Sequence, residues 1–246
     1  MMRMDINCDM GESFGAFRMG NDYEILDYVT SINVACGFHA GDPMIMRQTV
    51  KRAIEKGVKI GAHPGYPDLQ GFGRRNMDFT PEEIYNMIIY QVGALRGFVD
   101  VEKTELHHVK PHGALYNQSA NDSAKAQAVI DAVYDLNPKL KLYCLAGSLI
   151  AKLAREKGLT VFEEAFSDRN YNEDGTLVSR SNEQALITNE DEMFEHVKGI
   201  LLSNEVRTIQ KKVIKINAQT LCIHGDGAHA LQFARRISEL DGFLFD

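Results

Sequence analysis

Along the chain, short apolar runs of strand character alternate with longer stretches whose apolar residues recur every three to four positions. This is the rhythm of βα units repeated around a parallel sheet. Strand patterns cover residues 4–9, 32–36, 58–62, 106–110, 141–145, 159–163 and 220–224. The helices between them carry legible punctuation. Asp42 is placed to cap, and Pro43 to open, a helix whose stripe of Met46, Val50, Ala53 and Ile54 stops at Gly57. Thr80-Pro81-Glu82-Glu83 combines a capping box with a first-turn proline, and Ile84, Ile88, Val92, Leu95 and Val99 follow on one face. Val129, Ala132, Val133 and Leu136 repeat the stripe, as do Met193, Val197, Ile200 and Leu201. Such faces are core, because an amphipathic helix must bury one side against the sheet.

Two stretches break the rhythm. Residues 165–182 are polar and contain Asp174-Gly175, which predicts a hairpin or flap. Residues 206–216 alternate apolar and charged side chains, which predicts a small peripheral hairpin. No linker, low-complexity tract or repeat divides the sequence, so residues 1–246 are expected to form a single (β/α) barrel domain of class α/β with seven strands.

Composition narrows the function. With 27 Lys and Arg against 34 Asp and Glu, the net charge is −7, and nothing resembles the basic footprint that nucleic acid requires. The longest apolar stretch free of charge, residues 142–151, is about half of the roughly 20 residues a membrane span needs. The N-terminal residues lack the apolar core of a signal peptide, so a cytoplasmic location is expected. Cys8, Cys36, Cys144 and Cys222 stand singly in apolar runs and read as buried, reduced thiols.

In a barrel of βα units the chemistry collects at the carboxyl ends of the strands. There the sequence offers Asn7, Asp9 and Glu12, then His39 and Asp42, His63 and Asp68, Lys110 and His112, Glu163 and Glu164 with Asp168 close behind, and His224 and Asp226. Alternation along a strand puts Asn7 with Asp9, Lys110 with His112, and His224 with Asp226. A structural barrel has no reason to gather so many costly polar groups at one end. The loop Gly71-Phe72-Gly73-Arg74-Arg75 could hold a guanidinium over the mouth to bind a carboxylate or phosphate. His107-His108 precedes the strand end and suggests a core or helix-facing role. There is no GxxxxGK[ST] loop, no GxGxxG turn and no GxSxG elbow, which disfavours a self-contained nucleotide-binding enzyme and an α/β serine hydrolase. Water activated by a carboxylate, a histidine or a metal is the remaining route to hydrolysis.

The segments DINCDMGESFG from Asp5, NVACGFHAGDP from Asn33, IGAHPGYPDLQGFGRR from Ile60, VKPHGALYN from Val109, EEAFSDRNY from Glu163 and CIHGD from Cys222 resemble the LamB/YcsF family of 5-oxoprolinase A subunits, in order and over almost the whole chain. The resemblance implies a seven-stranded barrel of the glycoside hydrolase/deacetylase type. It also implies a part in the ATP-dependent hydrolytic opening of 5-oxoproline (pyroglutamate) to L-glutamate, with ATP brought by partner subunits B and C. On that reading Asp9 and His63 are candidates to activate water, and His39, His112 or Asp226 are candidates to orient them or to hold a divalent metal, His39 first. Lys110 would stabilise developing negative charge, Arg74 or Arg75 would clamp the substrate carboxylate, and Asn7, His224 and Asp226 would line its site. Two other classes remain open: a stand-alone metal-dependent deacetylase or amidohydrolase, and a non-catalytic lactam-binding subunit.

Overall fold

Alternation along β1 (Met2–Met10) sets the plan of the molecule. Ile6, Cys8 and Met10 join the hydrophobic core, while Asp5 and Asn7, in between, bond to polar side chains of neighbouring strands. The structure is a computed structural model that describes residues 2–19, 23–224, 230–240 and 243–245. After β1 come β2 (Ser31–Ala35), β3 (Lys59–His63), β4 (Leu106–Val109), β5 (Lys141–Leu145), β6 (Thr160–Phe166), β7 (Glu205–Arg207), β8 (Val213–Lys215), β9 (Thr220–His224) and β10 (Phe243–Phe245). The first six and β9 pair in that order, all parallel, and β9 pairs back onto β1, so seven strands close a barrel. β7 and β8 form the small antiparallel hairpin that the alternating charges predict.

All seven expected strands are present, most within two residues of their expected ends. β6 is the exception that matters: it runs on to Phe166, because Glu164, Ala165 and Phe166 pair with Thr220, Leu221 and Cys222 of β9. This draws Glu164 out of the expected loop and into the barrel. The pattern did not reveal β10, three residues lying parallel to the start of β1.

The helices end where their signals stand. In α1 (Pro43–Lys56) the Asp42 carboxylate accepts from the amides of Met44 and Ile45, and Gly57 closes the helix at φ 69°. In α2 (Pro81–Val101) the Thr80 hydroxyl and Glu83 carboxylate make the reciprocal capping box. The series continues with α3 (Gly113–Ser119), α4 (Ser123–Leu136), α5 (Leu149–Lys157), α6 (Glu190–Lys198) and α7 (Ala230–Ser238). Asn172 to Thr176 tightens into a turn, with Tyr171 bridging Leu177, which gives the expected flap after β6. The four cysteines are buried and form no disulfide. Among the described residues no helix is long and apolar enough to cross a membrane.

The barrel interior is polar. The Asp5 carboxylate accepts from Ser31 and Thr220, and Asn7 bonds at once to Asn33, Glu164 and Thr220. Polar groups persist in such a place only where partners satisfy them, so this network holds the ring of strands in one register and gives the site a rigid floor.

Candidate active site

Lys110, one residue past β4, sends its ammonium into the barrel. Its Nζ lies 2.8 Å from Glu164 Oε1, 3.0 Å from Asp9 Oδ1, 3.1 Å from Asn7 Oδ1 and 3.2 Å from Cys222 Sγ. Burial alone would drive the proton off, but the Asp9 and Glu164 carboxylates outweigh it and hold the amine well above the ordinary lysine range. Asp9 shows the reverse balance. Burial favours its neutral form, yet His63 and Lys110 keep the carboxyl well below the usual carboxylate range. Two ionised groups therefore face each other at the floor.

Asn33 also donates to Asp9 Oδ1, at 2.8 Å, and its own orientation is set from below. His108 Nε2 donates to Asn33 Oδ1 at 2.7 Å, with its ring stacked 3.9 Å from that of Tyr143. His107 Nδ1 lies 3.0 Å from His108 Nδ1, and Lys141 Nζ donates to His107 Nε2 at 2.7 Å. A chain of donors thus runs from the foot of β5 to Asp9 at the carboxyl end of β1. Room for it exists only because position 61 is glycine, where a Cβ would come within 2.1 Å of His108 Nε2.

A second group stands beside Asp9. His63, at the end of β3, donates from Nδ1 to the Lys110 carbonyl at 2.7 Å and presents Nε2 to Asp9 Oδ2 at 3.3 Å. His112 lies 2.9 Å away, Nδ1 to His63 Nε2, and its Nε2 donates to the Phe72 carbonyl at 2.8 Å. His39 stacks on His112 with centroids 3.7 Å apart, wholly buried, and neither of its ring nitrogens has a hydrogen-bond partner. Burial and the neighbouring His63 hold it neutral. Gly73 lets these rings approach the loop, since a Cβ there would lie 2.8 Å from both His39 and His112.

Donor atoms of Glu12, His39, His63 and His112 all lie within 4.8 Å of one another, a carboxylate and three imidazoles of the kind that bind divalent zinc or manganese. The His39 ring, which makes no hydrogen bond and faces the Glu12 carboxylate at 3.8 Å, fits such an ion. Asp9, Cys222 and His224 form a second close group. There Cys222 is a poor ligand, because burial keeps its thiol protonated and Lys110 donates to its sulfur.

The opposite wall comes from β9 and the flap. Asp168 accepts from His224 Nδ1 at 2.8 and 2.9 Å, while Arg180 Nη2 donates to His224 Nε2 at 3.3 Å. Arg169 is buried and ties the flap down through the carbonyls of Val178 and Ala185. Burial, with Arg180 nearby, lowers its guanidinium to about 10. Between the two walls lies a cavity of about 510 Å³ lined by Asp9, Glu12, His63, Arg74, Lys110, His112, Arg169, Arg180 and His224, among others.

The structure therefore gathers Asp9, His63, Lys110, His112, His224 and Arg74 at one mouth, with His39 behind His112. Asn7 is fully buried beneath them and holds Lys110 instead of lining the cavity. Arg75 is turned away: its guanidinium is 62% exposed and bound by Asp68, so Arg74 alone of the pair faces the mouth. Asp226 lies outside the described residues. Sequence reasoning missed Asn33, His108 and Arg180 as parts of the site. Asn33 and His108 carried a usable signal, since both sit on barrel strands in register with a neighbour, Asn33 beside Asp9 and His108 beside Gly61. Arg180 carried none.

The LamB/YcsF family model matches residues 4–240. This chain belongs to the LamB/YcsF family. Similar proteins include the 5-oxoprolinase A subunit of Bacillus licheniformis, 54% identical over 237 residues that cover 96% of this chain and 94% of that one. The corresponding A subunit of Brevibacillus brevis 5-oxoprolinase is 53% identical over 239 residues, covering 97% and 94%. Among solved structures, the lactam utilization protein from Thermus thermophilus superposes with a TM-score of 0.92 at 42% identity, covering 99% of both chains. A putative cellobiose-phosphate cleavage protein from Enterococcus faecalis V583 shares the fold of this LamB/YcsF chain, with a TM-score of 0.57 at 11% identity over 99% and 96% of the two chains.

Proposed function

We propose that this LamB/YcsF chain is the A subunit of a cytoplasmic, ATP-dependent 5-oxoprolinase and carries the site at which the lactam is opened to L-glutamate. The observation that carries the reading is the convergence of Asp9, His63, Lys110 and His112 on one cavity in a chain more than half identical to 5-oxoprolinase A subunits. A subunit so named implies partners, and the sequence has no phosphate-binding loop of its own, so ATP is assigned to subunits B and C. A phosphoryl group placed on the lactam oxygen makes the ring carbon a better electrophile. Water then adds to that carbon, the carbon–nitrogen bond breaks with the nitrogen taking a proton, and the resulting acyl phosphate is hydrolysed to the γ-carboxylate and phosphate.

The residues divide these tasks. Lys110, positively charged at neutral pH, offsets charge developing on the carbonyl oxygen. Asp9 Oδ2 orients the water and takes its proton, and His63, 3.3 Å away, is placed to deliver a proton to the departing nitrogen and to recover one from Asp9. His112 aligns His63, while Arg74 and His224 contribute to binding the substrate. A divalent ion held by Glu12, His39, His63 and His112 would polarise the carbonyl as a Lewis acid, and with His63 Nε2 then committed to the ion the proton transfers would fall to Asp9.

The test is reconstitution from purified chains, measuring ATP-dependent glutamate release with and without this one. Asp9→Asn and Lys110→Ala are expected to lower turnover roughly 100-fold or more while circular dichroism shows folded protein. Near-normal turnover in both variants excludes the assignment. Glutamate release by this chain alone points instead to an independent amidohydrolase, and lactam binding with turnover untouched by either variant to a purely binding role.

A further inference from the structure

The flap that follows β6 carries an arginine whose surroundings are those of a ligand clamp waiting for an anion. Resting on the proposed function, we infer that Arg180 reads the free carboxylate of the lactam, and that seating this carboxylate draws the guanidinium off His224.

Four guanidiniums stand near the mouth, and their partners separate them. Arg75 is bound by Asp68 and faces outward. Arg169 is buried and committed to the Val178 and Ala185 carbonyls. Arg74 stacks over the Phe72 ring at 4.7 Å, on the His39 side of the cavity. Arg180 is exposed and lines the cavity, and its side chain donates to a neutral acceptor, His224 Nε2, at 3.3 Å. His224 must be an acceptor there, because an arginine only donates and Asp168 already takes the proton on Nδ1. A guanidinium forms a bidentate pair with a carboxylate, roughly twice as strong per bond as one to a neutral nitrogen, so a bound carboxylate outcompetes His224.

The floor dictates the orientation. The Lys110 ammonium is already committed to Asp9 and Glu164, so a substrate carboxylate gains less there than at Arg180, whose guanidinium donates to a ring nitrogen of His224. The carboxylate therefore points to the flap. Val178, two residues before Arg180, is held both by Arg169 and by a backbone bond from its amide to Asn170, which fixes the point from which the arginine reaches. When Arg180 turns to the carboxylate, the His224 Nε2 is left facing the substrate, with its ring still aligned by Asp168. Recognition of the carboxylate and exposure of this imidazole become one event.

Steady-state kinetics of the reconstituted complex on 5-oxoproline test this, comparing the wild-type chain with Arg180→Ala and Arg180→Lys. Removing the clamp should raise KM roughly 10- to 100-fold, the worth of a charge-assisted pair. The change in kcat should be much smaller, because His224 is uncovered in the variant without help. Lysine, which keeps the charge and loses the fork, should fall between. An unchanged KM in Arg180→Ala overturns the inference. So does a joint loss of kcat and thermal stability, which would mark Arg180 as a structural strut of the flap. If the wild-type complex releases no glutamate, the functional reading fails first, and this inference falls with it.

Discussion

His63 Nε2 and His112 Nδ1 stand 2.9 Å apart, and the other nitrogen of each ring already donates to a backbone carbonyl, that of Lys110 for His63 and that of Phe72 for His112. Two neutral rings would meet there lone pair to lone pair. A divalent ion held by this cluster would relieve that opposition, and Asp9 Oδ2, 3.3 Å from His63, stands beside it as a negative charge.

A metal ion in that position has a measurable consequence. Titrating zinc or manganese into the purified chain is expected to raise its melting temperature, by mass action on the folded state. His39→Ala should remove most of the shift, because His39 supplies a ligand nitrogen that makes no hydrogen bond. A wild-type melting curve indifferent to both ions counts against a metal at this cluster.

Replacing Lys110 by methionine strands the Asp9 and Glu164 carboxylates without their cation. The expected cost is about 3–5 kcal/mol at pH 8, from urea denaturation. It should shrink at pH 5, where the stranded carboxyls can take protons. Equal losses at both values would falsify the view that Lys110 compensates buried charge.

In the wild-type chain the pH dependence runs two ways. Asp9 ionises more readily in the fold than in an open chain, so its contribution is complete above about pH 4 and lost as acidification passes its native value. Lys110 holds its proton more tightly in the fold. Its contribution is therefore complete below about pH 10 and lost as alkalinity climbs past its raised value. Stability measured from pH 3 to 11 should show a plateau between these limits.

Gly61→Ala should be costly although alanine suits a strand. The new methyl would sit 2.1 Å from His108 Nε2 and push that ring away from Asn33. A destabilisation of about 1–3 kcal/mol is expected. Turnover should fall as well, because Asn33 loses the bond that aims its amide at Asp9. Full activity in a folded Gly61→Ala variant would show that Asn33 orients itself.

Arg74 and Arg75 should behave differently despite being adjacent. Arg74→Ala is expected to raise KM for 5-oxoproline, and Arg75→Ala to leave the kinetics near wild type, since Asp68 holds that guanidinium outside the cavity. Matching KM changes in the two variants would contradict this placement.

Periodicity, caps and turn residues were enough to order the strands and helices of this chain and to put Asp9, His63, Lys110 and His112 at one end of a barrel. Each of those signals is local: alternation says which residues share a face, and Asp42 or Thr80 says where a helix begins. Which neighbours each group acquires is set by contacts between distant positions. Asn7 meets Glu164 across 157 residues, and Lys110 meets Asp9 across 101. Only the closed barrel could draw Glu164 inward, pair His63 with His112, and lay Arg180 against His224. The energies that select these partners, desolvation and Coulombic pairing, depend on three-dimensional surroundings that no window of sequence contains.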